Sequence, residues 1–446
     1  MKHERGGFMK KWLQTQIQNR FIKSLWVLIA GAAVSNIVVL IMTPILTRIY
    51  KPEDFGVLSV FTALLYLSMI IVSMRYESAL MLPKEEKDAL PLLCISLFSV
   101  FIVSTLVCLT LLLLPIATWL NIESAEPYFW ILAISLLFVG IYQALNIWAL
   151  RLEKYSEISY AKLAMNGGQA ISQLGFGLIK FGVIGLIKFG VIGLLIGEVF
   201  GRVIGSIYYI WKFRKDIIHS FRNNPDTIWQ VMKRYKNFPL ISSWSGLMYS
   251  LGTHLPTLFL AAYFDAVTAG YFFLAQKLLT VPENLLGYSA SQVYFTQAAQ
   301  IVRVGESINQ YFWETIRKLF IISAVSLIII DFVAPYLFEM IFGPNWILSA
   351  TFVQILSVMY LTKIVIAPLN GIFYIYEALI FQMVGECIRF GLIVLAIGIS
   401  YVYAFTDIEA LWCISLLTAL GYIVCGVFAW IVISKSREPE MVLENG

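Results

Sequence analysis

Residues 161–211 read AKLAMNGGQAISQLGFGLIKFGVIGLIKFGVIGLLIGEVFGRVIGSIYYIW, an apolar stretch of 51 residues. One helix crosses a bilayer core with about 20 apolar residues, so this stretch is too long for one crossing and right for two. Within it the unit GLIKFGVI at 177–184 is written again at 185–192. A span from Ala161 to Ile179 covers roughly 28 Å at 1.5 Å per residue. Most of the doubled unit, Lys180 to Lys188, then falls in the turn beyond it. In mid-helix the second copy would rotate everything after it by about 80°; in a turn it only lengthens a loop, at small entropic cost. The doubling therefore reads as a tolerated tandem insertion. The alternative is a glycine-broken helix forming a binding element, with Gly182, Gly185, Gly190 and Gly193 supplying the breaks.

The rest of the chain has the same character. Its 446 residues are 59% hydrophobic and 13% charged, with a mean hydropathy of +0.80. A soluble domain carries about 25% charged residues, so a polytopic helical membrane protein is expected. Spans are predicted at Ile22–Leu46, Val57–Ser73, Ala89–Ala117, Tyr128–Leu150, Ala161–Ile179 and Phe189–Trp211. A second set covers Leu240–Tyr263, Gly270–Thr296, Leu319–Phe342, Trp346–Ile372, Ala378–Tyr401 and Ile408–Ile433. Twelve spans put both termini on one side. The first is too long for a signal peptide, lacks a small-residue cleavage site and is followed by further spans.

Loop charge sets the orientation. Of 32 Lys and Arg residues, Arg48, Lys51, Lys180 and Lys188 lie on one side, and four lie within spans. The remainder fall on the side that holds the termini, which the positive-inside rule marks as cytoplasmic. The net charge of +5 is thus a matter of topology, and no nucleic-acid partner is expected. Five cysteines, Cys94, Cys108, Cys387, Cys413 and Cys425, all fall in predicted spans without CxxC spacing, as small packing residues. Three histidines, at 3, 219 and 254, form no ligand cluster, so neither metal nor other cofactor is expected. His254 reads as a packing residue.

The longest polar connection, Lys212–Pro239, follows the sixth span. Its interleaved Phe213, Ile217, Ile218, Phe221, Ile228, Trp229 and Met232 suggest an amphipathic linker lying at anionic headgroups. It divides the chain into an N-terminal lobe (1–211), a basic linker (212–239) and a C-terminal lobe (240–446). A faint echo supports duplication. RIYKPEDFGVLSVFTALL after the first span aligns with AYFDAVTAGYFFLAQKLL after the seventh, setting Lys51 on Asp265 and Gly56 on Gly270. Two six-helix lobes related by a pseudo-two-fold axis are expected, a common transporter plan.

Ionisable residues inside a span are costly and point to function. Here they are Arg202, Lys277, Lys363 and Arg389, with Glu198, Glu283, Asp331, Glu339 and Glu386. Glu198 with Arg202 and Glu386 with Arg389 can pair along one helix face. Lys277 and Lys363 have no partner at such spacing, and face either an aqueous cavity or a partner on another helix. Basic groups in a central cavity would suit an anionic group such as phosphate. Asp331, Glu198 or Glu386 would take a coupling proton or sodium ion. Asn36, Asn146, Gln169 and Gln173 can bond across helices or to sugar hydroxyls.

Three stretches carry a family resemblance: LTRIYKPEDFGVLSVFTALLYL (46–67), MRYESALMLPKEEKDA (74–89) and AGYFFLAQKLLTVPENLLG (269–287). Together with twelve spans in two halves, they resemble the Wzx-type O-antigen flippases of the multidrug/oligosaccharidyl-lipid/polysaccharide exporter superfamily. The resemblance implies alternating access and translocation of undecaprenyl-pyrophosphate-linked oligosaccharide across the bacterial inner membrane, with a cationic cavity receiving glycan and pyrophosphate. It favours Arg48 and Lys277 as substrate-binding positions, beside Arg202, Lys363 and Arg389. The partners it implies are the lipid-linked substrate, membrane lipids and other polysaccharide-assembly proteins. The doubled unit departs from the short fifth-to-sixth turn of such proteins. Two other functions compete. A multidrug exporter of this fold would want acidic groups in its cavity. A membrane glycosyltransferase or polymerase would need a large outer loop with catalytic carboxylates, and the outer loops here are short, so no enzyme is expected.

Overall fold

A computed structural model describes residues 34–435, apart from 36, 84–85, 115–127, 180–189, 222–224, 237–242, 304–306 and 377. Every regular element among the described residues is helical. In chain order these are α1 (Ile37–Ile49), α2 (Pro52–Val72), α3 (Tyr76–Ala79), α4 (Glu86–Leu113), α5 (Phe129–Arg151) and α6 (Tyr155–Ile179). There follow α7 (Gly190–Lys212), α8 (Arg214–Phe221), α9 (Pro225–Arg234), α10 (Ser243–Tyr263), α11 (Ala266–Pro282) and α12 (Ser289–Arg303). The last are α13 (Asn309–Leu337), α14 (Ile347–Ile366), α15 (Gly371–Ile375), α16 (Leu379–Val402) and α17 (Asp407–Lys435). Eight helical segments among them are long and apolar enough to cross a bilayer. With α1, α6, α10 and α11–α12 they occupy the twelve predicted span positions.

The opening stretch divides as expected: α6 ends at Ile179 and α7 begins at Gly190. The core of the doubled unit, Lys180 to Phe189, lies outside the described residues. Apolar side chains left exposed confirm a lipid surround. On α13, Ile321, Val325, Ile328, Ile329 and Phe332 all point outward, an arrangement that water would penalise.

The chain packs as two compact units. Among the described residues, the first holds those up to Tyr50 and those of 68–243; the second holds Lys51–Leu67 and those from Trp244 onward. The first part of α2, up to Leu67, therefore groups with the C-terminal residues.

Within the first unit, α6 and α7 lie against each other along one glycine ridge. Gly193, Gly197, Gly201 and Gly205 recur every fourth residue, the spacing that lets helix backbones approach closely in a membrane. A methyl on Gly201 would stand 2.5 Å from the Met165 carbonyl oxygen, and one on Gly197 would stand 2.8 Å from the Gln173 backbone nitrogen. Near the ridge's end sits Tyr50, buried, its hydroxyl donating to the Gln173 carbonyl at 2.8 Å. From Gly190 to Lys212 the helix is unbroken; Gly182 and Gly185 lie outside the described residues.

At the polar end of the same unit, α8 and α9 do not lie wholly at a surface. Phe213, Ile217, Ile228 and Met232 pack onto a core built from Tyr76, Leu80, Leu92, Trp148 and Tyr209. Only Ile218, Phe221 and Trp229 remain exposed beside the basic residues. The linker's apolar set is split because the core offers one face of each short helix a better burial than headgroups do. Arg151 Nη1 and Nη2 clamp the carbonyls of Leu80 and Pro83 at 2.6 and 2.7 Å. Trp148 donates to Asp216 at 2.9 Å, tying α8 down.

The second unit contains the repeat's signature. Lys51 precedes Pro52 at the first position of α2, and the Asp54 carboxylate accepts from the Lys51 N–H at 2.9 Å. At the aligned turn, the Asp265 carboxylate accepts from the Thr268 N–H at 2.6 Å. Each turn thus uses one half of a capping box. A Cβ on Gly56 would lie 1.6 Å from the Ala266 oxygen, and one on Gly270 would lie 2.0 Å from the Pro52 oxygen. Since Pro52 aligns with Ala266, the contact is the same in both directions, as a two-fold relation between repeats requires.

Candidate functional site

Four intramembrane charges of the second unit, Glu283, Lys363, Glu386 and Arg389, fall into one cluster. Its geometry begins with two interruptions of helix. Pro282 ends α11 without a backbone N–H to donate, and Glu283–Tyr288 continues as a π-helical turn, a distortion frequent at functional sites. That turn carries Glu283. At the end of α14, just before a 3₁₀ turn that contains Pro368 (Ala367–Asn370), stands Lys363. Its Nζ lies 2.7 Å from Glu283 Oε1 and 5.1 Å from the centre of the Tyr360 ring. Lys363 thus finds across elements the partner it lacks on its own helix.

A second pair lies on α16. Arg389 donates from Nε to Glu386 Oε2 at 2.8 Å, with Nη2 2.7 Å from the same oxygen. The guanidinium is flanked by the rings of Tyr249 and Tyr422, at 5.5 and 5.2 Å, within the range of cation–π attraction. Two glycines make room for it. A methyl on Gly252 would stand 3.1 Å from Nη2, and one on Gly421 would stand 2.7 Å from the Arg389 Cγ. Tyr249 and Tyr422 are also electrostatic neighbours of Lys363, so the two cations share a wall of phenols. His254, within electrostatic range of Lys363, stacks on Tyr66 at 5.3 Å and serves as packing.

Exposure separates the pairs. Side chains of Lys363 and Glu283 keep 15% and 25% of their surface, whereas Arg389 keeps 1% and Glu386 14%. Both pairs are therefore largely enclosed, Arg389 almost completely and Glu283 least. Ion pairs this enclosed cost desolvation free energy that their own attraction scarcely offsets, so stability alone is a weak reason for two of them.

The other expected positions divide between the units. In the first, Arg202 Nη1 meets Glu198 Oε1 at 2.5 Å, and Gln169 donates to the same carboxylate. Gln173 donates to the Leu194 carbonyl at 3.1 Å, and Asn146 accepts from Tyr209 at 2.7 Å. These expected cross-helix polar residues do bond across helices. Arg48 is exposed at the end of α1. In the second unit, Lys277 is half-buried on α11. Asp331 on α13 accepts from Ser357 at 2.5 Å. Glu339 is exposed on the π turn that ends α13.

One buried carboxylate was not anticipated. Glu77, 1% exposed, follows Met74 and Arg75, whose φ values of 50° and 59° are left-handed. It accepts from Ser73 and, at 3.1 Å, from Gln143. Burial pushes its carboxyl above the usual range, against the Ser73 hydrogen bond and the Arg75 charge. The MRYESA motif is the sequence signal that carries it.

The helical architecture of the described residues resembles the fold of solved transporter structures. It superimposes on an inward-facing multidrug resistance MATE family transporter of the MOP superfamily with TM-score 0.71 and 16% identity, over 92% of this chain and 99% of that one. The lipid II flippase MurJ, in an inward closed conformation, gives TM-score 0.71 and 13% identity over 91% and 87%. A MOP superfamily transporter from Pyrococcus furiosus, described by the reversed polarity of its binding pocket, gives 0.53 and 16% over 92% and 94%. No curated protein matches the sequence. A family model described as polysaccharide biosynthesis protein matches residues 45–351. The chain belongs to that family.

Proposed function

We propose that the protein is a flippase that moves undecaprenyl-pyrophosphate-linked oligosaccharide, an O-antigen repeat unit, across the bacterial inner membrane. Its termini and linker lie in the cytoplasm, and six-helix lobes 1–211 and 240–446 exchange access. The observation that carries this reading is the pair of enclosed cations, Lys363 and Arg389, set among Tyr249, Tyr360 and Tyr422 in a member of a polysaccharide family. Two cations suit a diphosphate, and phenolic rings suit sugar faces and hydroxyls. Lys277 on α11 of the second unit, and Arg202 and Arg48 in the first, are the further basic positions assigned to the substrate. Glu198, Asp331 and Glu386 are the positions for a coupling proton or sodium ion. A drug exporter that takes cations would instead need carboxylates left to the substrate, whereas Glu283 and Glu386 are each engaged by a cation.

Replacing Lys277 and Lys363 together by glutamine tests this in cells that depend on the protein for surface polysaccharide. Surface glycan is expected to disappear, and adding Glu283→Gln, so that no carboxylate is stranded, is expected to hold the amount of membrane-inserted protein at the wild-type level without restoring glycan. Wild-type display by the double variant would reject the assignment.

A further inference from the structure

We infer that Glu283 and Glu386 are resident anions, holding the places that the two phosphates of the cargo take, and that cargo seats only as these carboxylates accept protons. The inference rests on reading the cluster as the diphosphate site. It starts from charge. Lys363, Arg389, Glu283 and Glu386 sum to zero in an enclosed, membrane-level site. A diphosphate diester brings two negative charges. Were the carboxylates to stay ionised beside it, the site would hold two uncompensated charges, which a low-dielectric surrounding penalises strongly. One proton on each displaced carboxylate, given up by buffer acid whose conjugate base stays in bulk solution, forms two O–H bonds and returns the sum at the site to zero. Lys363 and Arg389 then bind phosphate oxygens in place of carboxylate oxygens.

The contacts fit a replaceable occupant. Glu283 sits on a π turn, not on regular helix, and keeps a quarter of its side-chain surface. Arg389 presents Nε and Nη2 to a single carboxylate oxygen, a fork that also fits phosphate. The other groups facing the cluster are Tyr249 and His254 from α10, Tyr360 from α14, and Tyr422 and Cys425 from α17. His254 is unchanged in every variant used below, so differences between variants report the carboxylates.

The experiment is isothermal titration of the full-length protein in detergent, in buffers of different ionisation enthalpy at mildly alkaline pH. The probe is farnesyl-diphospho-N-acetylglucosamine, whose diphosphate carries no proton that titrates there; the matching farnesyl glycoside without phosphate is the control. Wild type is expected to take up about two protons per probe bound, the difference in bound protons that linkage reads directly. Glu283→Gln and Glu386→Gln are each expected to lower the count by about one, and the double variant to bind more tightly with none. Should a variant fail to fold, the wild-type count still decides. Probe binding without proton uptake overturns the resident-anion inference and leaves the diphosphate site standing. Absence of binding by folded wild type, or equal binding of the uncharged glycoside, overturns both.

Discussion

Arg389→Met is expected to abolish export and to destabilise the protein at once, because it strands Glu386. The guanidinium is 1% exposed and meets one carboxylate oxygen through two nitrogens. Removing one partner of such a pair costs about 3–5 kcal/mol, since the remaining charge stays buried without compensation. Removing both costs far less, because an apolar pair of similar volume needs no solvation. The variant carrying Arg389→Met with Glu386→Leu should therefore recover most of the wild-type melting temperature and none of the export. That split separates a binding role from a structural one. Export restored along with stability would reduce Arg389 to a packing residue. Melting followed by fluorescence-detected size exclusion, with surface glycan measured in parallel, reads both quantities.

The other large effect is expected at Gly56. A methyl there would overlap the Ala266 carbonyl, with 1.6 Å between the added carbon and the oxygen. Both clashing atoms belong to backbone, so no side chain can swing aside. Overpacking a well-filled contact costs about 1–3 kcal/mol, and more where backbones must part. Gly56→Ala should fall at or above the top of that range, as should Gly270→Ala through its clash with Pro52. Gly167 and Gly175 give the contrast, being helical glycines with nothing within 4 Å of an added methyl. Alanine there should be neutral or raise stability by up to about 1 kcal/mol, the ordinary gain for a helix interior. Comparing the four melting temperatures checks the crossing of α2 with α11. Equal behaviour at all four positions would contradict it.

What the sequence discloses and what it withholds follow from the range of the forces involved. Hydrocarbon thickness acts on each span separately, so charge depletion alone places α6, α7 and their turn. Gly56 and Gly270 are legible as a pair because one short alignment brings both turns together. The Glu386–Arg389 and Glu198–Arg202 pairs are legible because helical spacing joins them. By contrast, Lys363 meets Glu283 only through the π turn after Pro282 and the place where α14 stops, and no local pattern encodes that meeting. The ridge of Gly193, Gly197, Gly201 and Gly205 on α7 went unread, because glycine in a sequence signals a broken helix as readily as a close approach, and its packed partner on α6 is what shows the approach. The linker's apolar residues fit a headgroup surface as well as a protein core. What divides them is the cluster around Trp148 and Tyr209, assembled from residues far apart in the chain.

The account depends on an anion carried through the membrane by a neutral pair of ion pairs that opens to receive it. Reconstitution into liposomes tests this most directly, with a polyprenyl-diphosphate oligosaccharide in the bilayer and its arrival at the far leaflet read by an impermeant glycan-cleaving enzyme. Wild type is expected to move the lipid, and the Glu283→Leu, Lys363→Met, Glu386→Leu, Arg389→Met variant, which strands no charge and is reconstituted to the same level, to leave it where it began. Equal transfer by both proteins, or wild-type transfer of a prenyl glycoside lacking the diphosphate at the same rate, would contradict the account.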